Sequence, residues 1–188
     1  MMENSVNKTK KQEVYVRQPH QSYLILNNVA KDSNFGFLIR TANAMGAVPV
    51  IVGRRRYSRG GAAGGTRRTP VSSFLRMSDA VAAMREAGCD LCGIEIMPQA
   101  KSAIDKPFRK STAFIVGNEG EGLTDSLKSW CDYFVYVPQY GTAVSLNINV
   151  AAGIVLHQYA VWAGFKESPR QGEKFQRSGE QVIDAEGR

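Results

Sequence analysis

Between Tyr23 and Val137, short runs of consecutive apolar residues alternate with segments whose apolar positions recur at helical spacing. Tyr23–Leu26, Val48–Val52, Leu91–Ile96, Ala113–Val116 and Tyr133–Val137 are such runs, and each reads as a strand. A strand that is apolar on both faces has to be covered on both faces, which is the habit of parallel sheets. Phe35, Leu38, Ile39, Ala42 and Met45 predict an amphipathic helix over 34–45, closed by Gly46. Ser78 and Asp79 open a second helix that runs through Glu86 and stops at Gly88. A short helix over Thr124–Cys131 and a last one over 147–163 complete the pattern. The expected fold is α/β, a mostly parallel sheet with helices on both faces.

The alternation is confined to residues 22–164, and residues 1–21 and 165–188 are polar and charged and read as flexible extensions. At 188 residues and 43% hydrophobic composition the chain can bury one sizeable core. No apolar stretch reaches the roughly 18 residues of a membrane-spanning helix. Met1–Ser22 lacks the apolar centre of a secretory signal. No membrane association and an intracellular location are therefore expected, cytoplasmic first, with nuclear or organellar as the alternatives. Cys89 and Cys92 form a C-x-x-C, but it has no second pair and no neighbouring His, and it opens a strand-like run. It reads as core in a reducing compartment, with no metal site. The last helix is apolar nearly all round, with Ile148, Val150, Ala151, Ala152, Ile154, Val155, Leu156 and Tyr159. Such a helix needs cover on more than one side, and a second copy of the chain is the expected cover.

Three segments carry polar residues and glycines where ligands bind in α/β folds. In the first, Asn34, Gly36 and Arg40 lie on the helix after the first strand. Helical side chains lean towards the N-terminus, so Arg40 leans past Gly36, which offers no side chain, towards the loop that holds Asn34. An ordinary exposed arginine is the alternative. In the second, the strand Phe114–Val116 runs into Gly117-Asn118-Glu119-Gly120-Glu121-Gly122. Glycines at a strand's C-terminal end allow close backbone approach, and two carboxylates in the loop disfavour phosphate. A cofactor with a ribose or a positive centre fits better, the alternative being a tight turn. In the third, Val137-Pro138-Gln139 follows a strand, and Ser145-Leu146-Asn147 leads into the last helix. Ser145 or Asn147 is placed to cap that helix, and each can do so while facing a site.

Together, in this order and at this separation, the segments resemble the SpoU (TrmH-like) branch of the SPOUT RNA methyltransferases over roughly residues 22–163. The matching positions are Asn34, Gly36 and Arg40, then Gly117, Glu119, Gly120 and Gly122, then Pro138, Ser145, Leu146 and Asn147. The resemblance implies a trefoil knot in the C-terminal half, a homodimer, and S-adenosyl-L-methionine as cofactor. It implies methylation of a ribose 2′-hydroxyl in structured RNA, either tRNA or rRNA. It places Gly117, Asn118, Gly120, Val137, Pro138, Gln139, Ser145 and Leu146 around the cofactor. It also assigns catalysis to Arg40 with Asn34, Glu119, Ser145 and Asn147. An arginine is a poor literal base, so an electrostatic clamp on the developing alkoxide is the preferred role for Arg40. Asn149 departs from the small residue common at its position in that family.

A net charge of +7 suits an anionic partner. Arg54, Arg55, Arg56, Arg59, Arg67 and Arg68 flank a glycine-rich stretch that cannot form a stable helix, and they are the candidate RNA contacts. Two other functions fit the resemblance less well. A non-catalytic RNA-binding partner subunit would not need Arg40, Ser145 and Asn147 together, and a base methyltransferase of another branch would not be expected to carry Ser-Leu-Asn.

Overall fold

The computed structural model of the chain describes residues 20–27, 32–53, 71–118 and 120–175. Seven parallel strands form one sheet in the order β3-β2-β1-β6-β4-β7-β5. They are β1 (Ser22–Asn27), β2 (Val48–Val52), β3 (Ser72–Phe74), β4 (Asp90–Ile94), β5 (Lys101–Ser102), β6 (Thr112–Val116) and β7 (Tyr133–Tyr136). The helices are α1 (Asp32–Ala44), α2 (Met77–Glu86), α3 (Asp125–Lys128) and α4 (Ile148–Trp162). Residues 170–175 add a short antiparallel pair, Arg170–Gln171 with Lys174–Phe175.

The continuous apolar runs are explained by two cores. Leu24, Leu26, Phe114 and Val116 point to one side and pack with Leu38, Ile39 and Ala42 of α1 and Ala152, Val155 and Leu156 of α4. Their chain neighbours Ile25, Ala113 and Ile115 point to the other side, against Ala80, Val81 and Met84 of α2 and Leu127 of α3. Helices therefore cover both faces, and β1 and β6, paired at the centre, are buried almost throughout. A Leu→Ala change at the fully buried Leu24 would cost about 2–5 kcal/mol. Helix α4 approaches α1 closely where Gly153 faces Thr41, since a Cβ on the glycine would sit 3.3 Å from the threonine methyl.

Cys89 and Cys92 separate onto the two cores, Cys89 with the α2 side and Cys92 with the α4 side. Burial raises both thiols above their ordinary value, and it pushes Cys131 up to about 12. Neutral thiols on opposite faces of a sheet cannot share a metal ion or form a disulfide.

Several boundaries differ from those read in the sequence. Helix α1 begins two residues earlier, at Asp32, and β4 and β7 stop at Ile94 and Tyr136, releasing Glu95, Ile96 and Val137 into loops. Helix α2 starts at Met77 with Arg76 at its N-cap, and no side chain caps it there. Gly46 and Gly88 end α1 and α2 with φ of +74°, a conformation that disfavours any side chain. No helix among the described residues is long and apolar enough to cross a membrane.

Candidate active site

Parallel strands end on one side of the sheet, and the ends of β4, β6 and β7, three neighbours in the sheet, open a cleft of about 310 Å³. Ile94, Glu95 and Ile96 enter it from β4, Val116, Gly117 and Asn118 from β6, and Tyr136, Val137 and Gln139 from β7. Gly122 comes from the loop after β6. Ser145, Leu146, Asn147, Ile148 and Ala151 close the cleft from the start of α4, and Asn34 does so from α1.

The loop after β6 is pinned by hydrogen bonds among Asn118, Gly120 and Gly122. Asn118 and Gly122 exchange two backbone hydrogen bonds of 2.9 Å, and the Asn118 Oδ1 accepts the Gly120 N–H at 2.9 Å. Gly117 is required by this packing, because a Cβ there would lie 2.2 Å from the carbonyl carbon of Gly122. The close approach read in the sequence is thus an approach of the loop to itself. Gly122 takes φ +68°, and a Cβ on it would meet Glu95 Oε2 at 2.4 Å. Glu95 fastens the loop to the end of β4. Its Oε2 accepts the Leu123 N–H at 2.7 Å, and its Oε1 accepts the Ile96 N–H at 3.1 Å.

At the other wall Asn147 is the N-cap of α4, its Oδ1 accepting the Asn149 N–H at 2.9 Å. Of the two capping candidates, Asn147 takes the role, and Ser145 lines the cleft without capping. Gln139 donates to the Ala143 carbonyl at 3.2 Å, and its own oxygen is buried without a partner among the described residues.

Six residues read as cofactor contacts line this cleft together: Gly117, Asn118, Val137, Gln139, Ser145 and Leu146. Gly120 and Pro138 do not line it. Of the residues assigned to catalysis, Asn34, Ser145 and Asn147 line it. Arg40 is exposed on α1, six residues or about 9 Å along the helix axis from Asn34, and outside the cleft. Glu119 and the arginines at 54, 55, 56, 59, 67 and 68 lie outside the described residues. Glu95 was not singled out in the sequence. Its one signal is a carboxylate between Ile94 and Ile96 in an apolar run.

The donor set has a definite chemical character. Glu95 is a carboxylate, no lining residue among the described residues is a lysine or arginine, and the floor is apolar through Ile94, Val116, Val137, Leu146 and Ile148. Such a cleft suits a ligand with an apolar body and a positive centre, and it is unsuited to a polyphosphate. No group of His, Cys, Asp and Glu among the described residues is arranged to hold a metal ion.

The SpoU rRNA Methylase family model matches residues 21–157. An uncharacterized tRNA/rRNA methyltransferase of Synechocystis is 29% identical over 148 residues, which is 76% of this chain and 38% of that protein. The 23S rRNA (guanosine-2′-O-)-methyltransferase RlmB of Neisseria meningitidis is 28% identical over 141 residues, 72% of this chain and 56% of that protein. The chain spans about half the length of the curated relatives it matches. Among solved structures, the SpoU methyltransferase AviRb from Streptomyces viridochromogenes, in complex with the cofactor AdoMet, is similar with a TM-score of 0.64 at 26% identity. That match covers 81% of this chain and 61% of AviRb.

Proposed function

The chain belongs to the SpoU rRNA methylase family, and on that premise we propose that it methylates a ribose 2′-hydroxyl in tRNA or rRNA with S-adenosylmethionine. The observation that carries the reading is the cleft. Residues of the second and third sequence segments, and Asn34 of the first, converge on one pocket in which, among the described residues, the charged lining residue is Glu95. S-adenosylmethionine has an apolar-edged adenosine and a positive sulfur, which matches that lining. When bound it supplies an electrophilic methyl group. Gly117, Asn118, Val137, Gln139, Ser145 and Leu146 would hold it, with the buried Gln139 oxygen available to accept from one of its amines.

The chain's own part is to bring a hydroxyl to that pocket and stabilise charge on its oxygen. Asn34, Ser145 and Asn147 are neutral groups on the side of the cleft nearest α1 and α4, suited to orienting the ribose. Arg40 stands outside the pocket, so its guanidinium acts on the RNA as an electrostatic clamp for the oxygen or a neighbouring phosphate. Glu119 completes this set in the same reading. RNA would be gripped through the arginines between β2 and β3.

The reading also includes a homodimer, an intracellular location and the trefoil threading of the C-terminal half. Support for the dimer comes from α4, where Val150 is 48% and Val161 52% exposed, and from Phe37 of α1 at 56%. Light scattering at micromolar concentration should give twice the chain mass, and a monomer would remove this part of the proposal.

Ribose-methylation mapping of cellular RNA with and without the protein tests the function. Loss of one or a few 2′-O-methyl sites is expected. An unchanged map, together with no methyl transfer by the purified protein, would overturn it and leave a non-catalytic RNA-binding subunit.

A further inference from the structure

Three asparagines from two helices form a chain of hydrogen bonds whose direction is set by a single backbone N–H. Asn147 Oδ1 accepts the Asn149 backbone N–H at 2.9 Å, and only the oxygen of that amide can do so. The Asn149 amide then faces an oxygen, so its nitrogen must be the atom that approaches it, at 3.2 Å. The second hydrogen of that nitrogen points to Asn34, whose nearest amide atom must in turn be Oδ1, at 2.9 Å. The helix cap thus orients the amides of Asn147 and Asn149, and Asn34 meets them with its oxygen.

The geometry points to Asn149 as a positioning residue that holds Asn147 with its NH₂ presented to the cleft, as a donor to a ribose or phosphate oxygen of the RNA. Both acceptor directions of Asn147 Oδ1 are spent on Asn149, and its NH₂ has no partner among the described residues. Asn34, 8% exposed, is held by the same nitrogen, which links α1 to the start of α4 across 115 residues of chain. A small side chain at 149 could cap nothing further and bridge nothing. The Asn149 oxygen is buried without a partner among the described residues, a cost that the two bonds made by its nitrogen offset. The ligand assignment rests on the function proposed above, and the hydrogen-bond chain does not.

Asn149→Asp separates the two. It preserves size but leaves only acceptors at the position. A negative charge in the first turn of α4 is favourable, so the variant should fold. The cap bond still holds Asn147 Oδ1 on the residue-149 N–H, so the new carboxylate faces the oxygens of both Asn147 and Asn34 with no hydrogen between them; Asn34 must turn its NH₂ towards it, and Asn147 must swing from its present place in the cleft. In 15N-labelled protein the side-chain amide signals of Asn34 and Asn147 should both move. Methyl transfer to RNA extracted from cells lacking the protein should fall about ten- to hundredfold, with S-adenosylmethionine affinity by calorimetry near the wild-type value. Asn149→Ser, which keeps one donor, should lose less. Asn147→Ala combined with Asn149→Asp should lose less than the product of the two single losses, because the two changes share the Asn147 amide. Unmoved amide signals, or multiplied losses in the double variant, overturn the inference. A parallel loss of cofactor affinity overturns the assignment to RNA. Absence of transfer by the wild-type protein would sink the proposed function, while the amide signals would still decide the positioning role.

Discussion

The Glu95 carboxylate accepts the backbone N–H of Leu123 at 2.7 Å, so that the end of β4 and the loop after β6 form one wall of the cleft. Twenty-eight residues separate the two in sequence. The bond fixes the loop only because Gly122 has no side chain, since a Cβ would reach the same carboxylate oxygen at 2.4 Å.

The glycines of this loop should therefore differ sharply in tolerance. Gly117→Ala places a carbon against the Gly122 backbone, which cannot retreat without breaking the Asn118–Gly122 pairing. Overpacking of this kind costs about 1–3 kcal/mol, and in a chain of this size lowers Tm by several degrees. Cofactor affinity should be lost with it. Gly120→Ala meets only Asn118 Oδ1 at 3.6 Å, ordinary contact, and should leave both quantities near wild type. Calorimetry and thermal melts on the two variants check this, and equal behaviour would show that the loop is not held as described.

A second prediction concerns acid stability away from the cleft. Asp132 joins β7 to α2 through Arg85, at 2.8 Å, and accepts the Leu91 N–H at 2.7 Å. Partial burial alone would raise its carboxyl. The hydrogen bonds from Arg85 and Leu91 outweigh that and hold it below the ordinary carboxylate range. A depressed value in the folded state stabilises the protein fully above the unfolded value, about 3.9, and the contribution disappears as pH falls through the folded value. Urea titrations should show Asp132→Asn less stable than wild type at neutral pH, with the two converging as pH drops below about 4. A constant difference across that range would mean that the carboxylate's charge is not what stabilises.

Arg40→Ala should abolish methyl transfer and leave S-adenosylmethionine affinity intact. The separation of Arg40 from the cleft is the reason, because a residue that does not line the pocket has no contact with the cofactor to lose. Single-turnover transfer and calorimetry measured together decide it. Near-normal turnover, or weakened cofactor binding, would contradict the role given to Arg40.

The central architecture was legible because burial on both faces leaves a plain record. Leu24-Ile25-Leu26 and Phe114-Ile115-Val116 alternate between two cores, so neither face carries a polar residue. The edge strands left no such record. Ser72–Phe74 and Lys101–Ser102 are short and mostly polar, because an edge strand is covered less and needs little apolar surface. The cleft residues in the three glycine- and asparagine-rich segments could be found from spacing. Glu95 could not, since its partners are backbone N–H groups, which every residue carries. Asn149 stood out only as a departure from a family pattern, and its partner Asn34 lies far away in sequence. Long-range hydrogen bonds of this kind have no periodicity to reveal them.

The last prediction concerns the grip on RNA. Arg54, Arg55 and Arg56 follow directly on Gly53, which ends β2 with φ +104° and donates to the Phe74 carbonyl at 2.9 Å. Gly53 therefore stands at the C-terminal end of β2, and β2 is parallel to the strands that open the cleft. Contact of these arginines with RNA phosphates is part of the proposed function and rests on their charge and their place in the sequence. Arginine suits this because its guanidinium binds phosphate oxygens in pairs and stacks on exposed bases. Changing Arg54, Arg55 and Arg56 together to Ala should weaken RNA binding and flatten its dependence on salt. Each lost phosphate contact should reduce the slope of log K against log salt by about 0.7 to 0.9. S-adenosylmethionine affinity should not change, since none of the described lining residues of the cleft is altered. Filter binding at several salt concentrations measures the slope directly. An unchanged slope and affinity would make this segment a linker and move the RNA contacts elsewhere on the chain.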